Sequence, residues 1–200
     1  MQNPVFKLLP QDGDEPEWLA ELPLTGGPPV RFRHVRPEDQ PLITEAIRTA
    51  SRETLLHRFF SPIRSVSPDM LRQMLSIDRT NETCIVGVTE DHSVGRIICG
   101  ARYVKLSQAG AAEIALTVHD EFQHRGLGTF LLKLLADLAR TDGIRQFEAD
   151  VMASNQKMLN LFRKAALGPT TSHRMGDVYH VIIDLSLSAQ QQSDLIPKMR

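Results

Sequence analysis

The sequence predicts an α/β protein in which helices pack on both faces of one mixed β-sheet. Strand-like runs rich in β-branched and apolar residues alternate with segments whose apolar residues recur at helical spacing. The chain has 200 residues, of which 42% are hydrophobic, so it can bury one substantial core and leaves little room for a second. Alternating elements around one core indicate a single layered domain.

The first half of this domain is predicted to contain a strand, three helices and two strands, in that order. Pro37 with two carboxylates after it favours a helix start, and Ser67 before Pro68 gives the N-cap and first position of the third helix. A polar turn at 90–93 separates the two later strands. The predicted elements are a strand at 30–35, a helix opening at 36–39 with apolar residues at 42–47, helices at 52–60 and 67–75, and strands at 83–89 and 95–106.

The second half is predicted to alternate strand and helix around one glycine-containing loop. The loop, Gln123-His124-Arg125-Gly126-Leu127-Gly128, follows an apolar strand and precedes a long helix whose leucines recur on one face. That helix is expected to end at Asp142-Gly143, since glycine favours a helix C-terminus. The remaining predicted elements are strands at 113–118, 146–151 and 178–184 and a helix at 155–166.

Two polar segments flank the predicted domain, which spans residues 30–185. Residues 1–29 hold six of the twelve prolines and five carboxylates against one lysine, a composition that resists packing. We expect an extended arm or linker there, which Trp18, Leu19 and Leu22 are able to dock on the domain surface. Residues 186–200, with three consecutive glutamines, form a polar C-terminal tail.

Charge and cysteine usage narrow the functional class. A net charge of -1 gives no reason to expect nucleic acid or an anionic membrane as a partner. Cys84 and Cys99 lie in apolar runs, which favours buried reduced thiols over a disulfide, and neither they nor the histidines show metal-ligand spacing. The chain has no signal-peptide pattern and no apolar run near 18 residues. We therefore expect a cytoplasmic protein that uses no metal.

The loop at 123–128 carries the main functional signal. Two glycines between a strand and a helix let the backbone turn tightly and present free N–H groups, and the helix N-terminus adds about half a positive charge. Such a loop suits the pyrophosphate of a nucleotide, but a plain strand-to-helix turn explains the same six residues. A Walker A loop is excluded because no Lys-Ser/Thr pair follows Gly128, and the third small residue of a dinucleotide fingerprint is absent.

Together with its flanking segments, the loop resembles the GNAT superfamily of acyl-coenzyme A-dependent N-acetyltransferases, over about residues 30–185. The Q-x-x-G-x-G pattern stands between a strand that carries Glu113 and a helix that Asn155 opens. More narrowly, three segments resemble the catalytic domain of Pat-type protein lysine acetyltransferases: 32–39, 56–62 and 77–78. The resemblance implies a GNAT-like central sheet that is mixed but mostly antiparallel.

The resemblance also implies a ligand, acetyl-CoA, and residues that bind it. Loop N–H groups would bind the pyrophosphate, and the pantetheine arm would lie along the backbone of Leu116 and Val118, where an N–H would also stabilise the oxyanion. Asn155 would bond the pantetheine or serve as an N-cap, and Arg125 would contact phosphate or face solvent. The implied cofactor-binding residues are Leu116, Thr117, Val118, Gln123, His124, Arg125, Gly126, Leu127, Gly128, Thr129 and Asn155.

Glu113 is the catalytic residue that the resemblance implies. A lysine amine has a pKa of about 10.4 and must lose a proton before it attacks a thioester, so a base is needed. Glu113 would take this proton directly or through water; otherwise it is an exposed carboxylate paired with Arg102 or Lys105. Phe162 stands where many members have a tyrosine acid, so water would protonate the leaving thiolate.

The leading functional hypothesis is transfer of an acetyl group from acetyl-CoA to a protein lysine ε-amine, by direct attack in a ternary complex. Two others stay open: the same reaction on a small amine, and a catalytically silent acyl-CoA-binding regulatory module. The expected partners are a protein with a reactive lysine, such as an acyl-CoA synthetase, or a small amine. A homodimer through exposed strand edges also stays open.

Overall fold

The computed structural model describes residues 7–8, 18–63, 67–91 and 94–186, which form nine strands and five α-helices. The strands are β1 (Lys7–Leu8), β2 (Ala20–Leu22), β3 (Val30–His34), β4 (Glu82–Asp91), β5 (Val94–Lys105), β6 (Ala111–Val118), β7 (Gln146–Met152), β8 (Thr170–Met175) and β9 (Val178–Asp184). The helices are α1 (Gln40–Thr49), α2 (Arg52–Phe59), α3 (Pro68–Leu75), α4 (Leu127–Thr141) and α5 (Gln156–Ala165).

All the described strands belong to one sheet, in the order β1-β2-β3-β4-β5-β6-β7-β9-β8. Every neighbouring pair is antiparallel except β6 and β7, which run parallel. A parallel neighbour requires a crossover, and α4 supplies it. The predicted mixed, mostly antiparallel sheet is therefore confirmed.

Helices cover both faces of this sheet, each over its own core. The larger core lies under α4 and α5, and the smaller one under α1 and α3. The leucine spacing of α4 produces this arrangement, because it places one apolar face of the helix against the strands. Buried side chains of the larger core include Phe32, Ile114, Leu131, Leu135, Phe147 and Phe162, and those of the smaller core include Val35, Ile43, Leu71, Val86 and Ile97.

The elements predicted between residues 30 and 184 are confirmed to within two residues at their ends. The predicted turn at 90–93 is wrong in its first half, because Glu90 and Asp91 still pair with Gly95 and Val94; residues 92–93 lie outside the described residues. The sequence did not predict β1, β2 or β8. The predicted C-terminal tail lies outside the described residues beyond Ser186.

Part of the predicted N-terminal arm joins the sheet as β2. It pairs with β3, and Leu19, Ala20 and Leu22 are buried in the larger core. Trp18 is partly buried, and the guanidinium carbons of Arg31 and Arg33 lie 5.4 and 5.8 Å from its ring centroid. The end of this proline-rich segment therefore docks on the domain as an added strand.

The segment at 32–39 is organised by a buried ion pair. Arg33 donates from both terminal nitrogens to Asp39, at 2.7 Å each, and these side chains are only 9% and 3% exposed. Asp39 also accepts a hydrogen bond from the backbone N–H of Arg36 at 2.8 Å. The charged pair thus fixes the turn between β3 and α1, which explains why two charged residues stand at the edge of the core.

Strands β6 and β7 pair only over their first residues. Pairing covers 111–113 on β6 and 146–148 on β7 and ends at Glu113 and Glu148. β6 then continues to Val118 and β7 to Met152 without further pairing between them. The sheet is therefore open between two adjacent strands, and the backbone polar groups along this opening are available to a ligand.

Candidate active site

A cleft, which we call the β6–β7 cleft, lies along the end of β6 that no longer pairs with β7, although none of the β7 residues Gln146–Met152 borders it. It encloses about 430 Å³, within the range of small-molecule sites. The end of β6, the loop at 123–129 and the helices α2 and α5 form its walls.

The loop at 123–128 presents unused N–H donors to this cleft. His124 and Gly126 have φ angles of 63° and 83°, and α4 begins directly after Gly126 without a side-chain cap. Within the described part of the chain, the N–H groups from His124 to Thr129 donate to no protein acceptor. Six free donors at a helix N-terminus are suited to an anion, since the helix dipole adds to their partial positive charges. This favours a phosphate-binding loop over a plain strand-to-helix turn.

Most of the predicted cofactor-binding residues line the β6–β7 cleft. Those that do are Leu116, Thr117, Val118, Gln123, His124, Gly126, Gly128, Thr129 and Asn155. Leu127 is not among them because its side chain is 1% exposed and belongs to the core, so only its backbone is available. Arg125 lies instead against Phe122, with its guanidinium carbon 5.3 Å from the ring centroid.

The backbone of Leu116 and Val118 faces the open side of β6. The N–H of His119 bonds the carbonyl of Ile98 at 2.8 Å, and in an antiparallel ladder the backbone groups of alternate residues point to opposite sides. Those of 116 and 118 therefore point away from β5 and into the cleft. This is the orientation that an added, strand-like ligand requires.

Gln123 acts through its side chain within the protein. Its Nε2 donates to the Val118 carbonyl at 3.1 Å, and its Oε1 accepts from Lys157 Nζ at 3.1 Å. The glutamine thus joins the end of β6, the loop and α5. One cleft-facing acceptor on Val118 is consequently already used, which leaves the N–H of Val118 and both backbone groups of Leu116.

Glu113 lies at the point where the two strands separate. Its side chain is exposed, and it pairs in register with Glu148 on β7. The predicted alternative partners are engaged elsewhere: Arg102 forms an ion pair with Glu82, and Lys105 Nζ donates to the Thr80 carbonyl at 2.8 Å. Within the described residues, Glu113 has no ion pair, so its carboxylate is available to an incoming amine.

Asn155 and Phe162 have different roles on α5. The Oδ1 of Asn155 caps the helix by accepting from the Met158 N–H at 3.1 Å, while the residue also borders the cleft. Its structural role is therefore established, and its amide nitrogen stays available. Phe162 is 3% exposed in the larger core and does not border the cleft.

The family resemblance implies that the helical segment near 52–75 helps to form the substrate pocket, but sequence reasoning identified neither the individual α2 residues at the cleft nor the basic face of α5. Glu53, Thr54, His57 and Arg58 on α2 border the cleft, as do Lys157, Asn160 and Lys164 on α5. The three α5 residues are three and four positions apart, which is helical spacing and a signal that was present in the sequence. The α2 residues gave no such signal because their approach to β6 is a tertiary contact.

Asp120 holds α2 at the cleft. It accepts from the N–H and hydroxyl of Ser51 at 2.8 and 2.7 Å and from the Thr54 hydroxyl at 2.8 Å. Partial burial would raise the pKa of Asp120, but these hydrogen bonds outweigh it and lower the pKa overall. The ionised carboxylate thus ties the N-terminus of α2 to the segment before the loop.

Among the described residues, no group of three or more His, Cys, Asp or Glu side chains is placed to hold a metal ion. None of the helices in the described ranges is both long and apolar enough to cross a membrane.

Comparisons with known proteins converge on one family. The sequence pattern of the acetyltransferase (GNAT) family matches residues 49–167. Acetyltransferase PA5475 of Pseudomonas aeruginosa is 31% identical over 176 residues, which cover 88% of this chain and 91% of that protein. Acetyltransferase Pat of Mycolicibacterium smegmatis is 35% identical over 109 residues, which cover 54% of this chain and 32% of that protein.

A solved structure agrees. The GNAT domain of PAT from S. lividans superposes with a TM-score of 0.72 and 26% identity, over 82% of this chain and 96% of that one.

Proposed function

Because this chain belongs to the acetyltransferase (GNAT) family and is an acetyltransferase, with a domain similar to that of Pat, we propose that it acetylates protein lysines. The acetyl group would pass from acetyl-CoA to the ε-amine by direct attack while both substrates are bound. The observation that carries the proposal is the set of free N–H donors in the loop that borders the β6–β7 cleft, together with an available carboxylate, Glu113, on β6 three residues before the cleft-lining Leu116.

Successive parts of the cleft would bind successive parts of acetyl-CoA. The N–H groups from His124 to Thr129 would bind the pyrophosphate, and Lys157 and Lys164 supply positive charge beside it. The cleft-facing backbone of Leu116 and the Val118 N–H would bond the pantetheine amides as a neighbouring strand does. The thioester would then lie near Thr117, toward Glu113.

The chemistry follows from this placement. Glu113 would accept a proton from the lysine ammonium, and the neutral nitrogen would attack the thioester carbonyl. An N–H on β6 would stabilise the oxyanion, and the carbon–sulfur bond would break as the thiolate leaves. Phe162 is a buried phenylalanine and cannot donate a proton, so solvent protonates the thiolate.

Direct attack predicts that neither cysteine becomes acylated. Burial raises the pKa of the Cys84 thiol to about 11 and that of the Cys99 thiol to about 12, so both are protonated at neutral pH and are poor nucleophiles. We expect intact-protein mass spectrometry to find no acetyl thioester after incubation with acetyl-CoA alone. We also expect Cys84→Ser to retain acetyl transfer. An acetyl group on either cysteine, lost when the acceptor is added, would instead indicate an acyl-enzyme.

Gly126 is predicted to be necessary for acetyl-CoA binding. Its φ of 83° strains any other residue by about 1 to 2 kcal/mol, and an added methyl would project from the loop into open space where the ligand would lie. We expect Gly126→Ala to weaken acetyl-CoA binding by about tenfold or more, measured by isothermal titration calorimetry. Gly176→Ala is the matched control, since Gly176 also has a positive φ, 62°, and open space around it, but lies in the β8–β9 turn. If Gly126→Ala and Gly176→Ala weaken acetyl-CoA binding equally, the assignment of this loop to pyrophosphate binding is contradicted.

A protein acceptor is favoured over a small amine by the exposure of Glu113. The sheet face that carries it continues over Glu148, Asp150 and His180, which are exposed or half-buried. A folded protein can bring a lysine to such an open surface, whereas a small amine is normally enclosed. The two free cysteines also support a cytoplasmic location as part of this proposal.

The test is recovery of acetyl-lysine. Purified enzyme and acetyl-CoA would be incubated with candidate proteins, such as an acyl-CoA synthetase, and in parallel with free lysine and polyamines. Site-specific acetyl-lysine on a protein, absent with Glu113→Gln, would support the proposal. Rapid thiol release with small amines and none with proteins would favour the small-molecule reaction instead.

A further inference from the structure

A second cavity lies beside the inner end of the β6–β7 cleft. It encloses about 120 Å³ between α1, α2 and the facing side of β4, β5 and β6. Arg58 and Thr117 border both cavities, so the two meet at these residues. The rest of its lining is mostly apolar and includes Ile43, Ile47, Leu55, Val86 and Ile97.

Arg58 brings an unneutralised charge to this junction. It lies in the last turn of α2, half-buried, with its guanidinium carbon 5.4 Å from the centroid of the Phe59 ring. Within the described residues it forms no hydrogen bond or ion pair, and burial lowers its pKa. A partly desolvated guanidinium without a counter-ion is costly, so an anionic ligand would stabilise it.

The other charged groups nearby do not supply that counter-ion. Arg102 also borders the second cavity but is neutralised by Glu82. Glu113 attracts Arg58 electrostatically from β6, but it is exposed and makes no ion pair with it within the described ranges. Cys84 is uncharged at neutral pH because burial raises the pKa of its thiol to about 11.

We propose that the second cavity receives the acyl chain of the donor and that Arg58 binds a carboxylate at the end of this chain. The enzyme would then use CoA thioesters of short dicarboxylic acids, such as succinyl-CoA, in addition to acetyl-CoA. This inference deepens the proposed function, because it assumes acyl transfer in the same cleft.

Location and size assign the carboxylate to the acyl chain rather than to the acceptor. The second cavity begins at Thr117, where the thioester end of the donor would lie, and α1 and α2 cover it. A dry cavity of about 150 Å³ holds a benzene ring, so this one accommodates a chain of about four carbons but not an amino-acid acceptor with its backbone.

The transfer step is unchanged by the longer chain. The thioester carbonyl carbon forms a bond to the acceptor nitrogen, the carbon–sulfur bond breaks, and the thiolate leaves with the bonding electrons. The proton from the amine passes to Glu113. The terminal carboxylate and Arg58 stay ionised throughout and serve only to hold the chain.

The test compares donors of equal chain length. Dissociation constants of acetyl-CoA, butyryl-CoA and succinyl-CoA would be measured by calorimetry for the wild type, Arg58→Met and Arg52→Met. Butyryl and succinyl chains have the same number of carbons and differ in the terminal carboxylate. Arg52 lies on the same helix but is exposed and does not border either cavity, so its variant is the matched control.

We expect the wild type and Arg52→Met to bind succinyl-CoA at least about tenfold more tightly than butyryl-CoA, and Arg58→Met to lose this preference while still binding acetyl-CoA. If the wild type binds butyryl-CoA as tightly as succinyl-CoA, or more tightly, the inference is overturned whatever the variants show. A succinyl preference that Arg58→Met retains would also overturn it. Failure to bind any acyl-CoA would instead contradict the proposed function itself.

Discussion

Replacing Glu113 by glutamine is expected to lower acyl transfer by about two to four orders of magnitude and to leave acetyl-CoA binding unchanged. The amide keeps the size and polarity of the side chain but cannot accept the proton of the incoming ammonium. The loop donors and the cleft-facing backbone of Leu116 would be intact, so the donor should bind normally. Steady-state kinetics with an acceptor lysine and calorimetric titration with acetyl-CoA would measure the two effects separately.

The pH dependence gives this prediction a second readout. The fraction of neutral lysine rises about tenfold per pH unit below its pKa of about 10.4, so a variant without a base should regain activity steeply as the pH rises. The wild type should depend on pH less steeply. Two equally shallow profiles would show that Glu113 is not the base.

Glu38→Gln is the matched control for the loss of a carboxylate. Glu38 is exposed on the turn before α1 and is not on β6 at the point where the strands separate, so its variant should retain the wild-type rate. If Glu113→Gln and Glu38→Gln have the same rate of acyl transfer, Glu113 is not the catalytic base. If Glu113→Gln loses both donor binding and activity, Glu113 has a structural role instead.

The elements that sequence could predict are those with an apolar pattern. α4 has leucines on one face, and β9 consists largely of apolar residues, so both were located almost to the residue. β8 was missed because all six of its residues are exposed at the edge of the sheet, where no buried face imposes alternation. β2 was missed because three residues in a proline-rich segment become a strand only by pairing with β3.

The residues of the candidate site also fall into two groups, those that a local pattern predicts and those that only tertiary contacts bring to the site. The loop at 123–128 was recognisable because local chain geometry favours glycine at Gly126, whose φ is 83°. Arg58 was not recognisable as a site residue, because its significance depends on α2 meeting β6 across more than fifty residues of sequence. The second cavity likewise exists only once α1, α2 and the sheet have assembled. A short motif can therefore predict local backbone geometry, whereas the position of a charge within a cavity depends on the tertiary fold.

The buried ion pair of Arg33 and Asp39, at the turn between β3 and α1, predicts the largest change in stability. We expect Arg33→Met to lower the free energy of unfolding by about 3 to 5 kcal/mol, because it leaves the Asp39 carboxylate inside the protein without its guanidinium. For a domain of this size the loss corresponds to a fall in Tm of roughly 6 to 20 °C. Urea denaturation followed by circular dichroism would measure it.

Two further variants distinguish buried charge from lost packing. Arg72→Met makes the same substitution at an ion pair with Asp69 whose side chains are 77% and 76% exposed, and should leave stability unchanged within error. Arg33→Met combined with Asp39→Leu removes both charges and should recover much of the loss, since an apolar pair needs no counter-ion. If the double variant is no more stable than Arg33→Met, the cost comes instead from the packing of Arg33 against Trp18 and from the hydrogen bond that Asp39 accepts from Arg36.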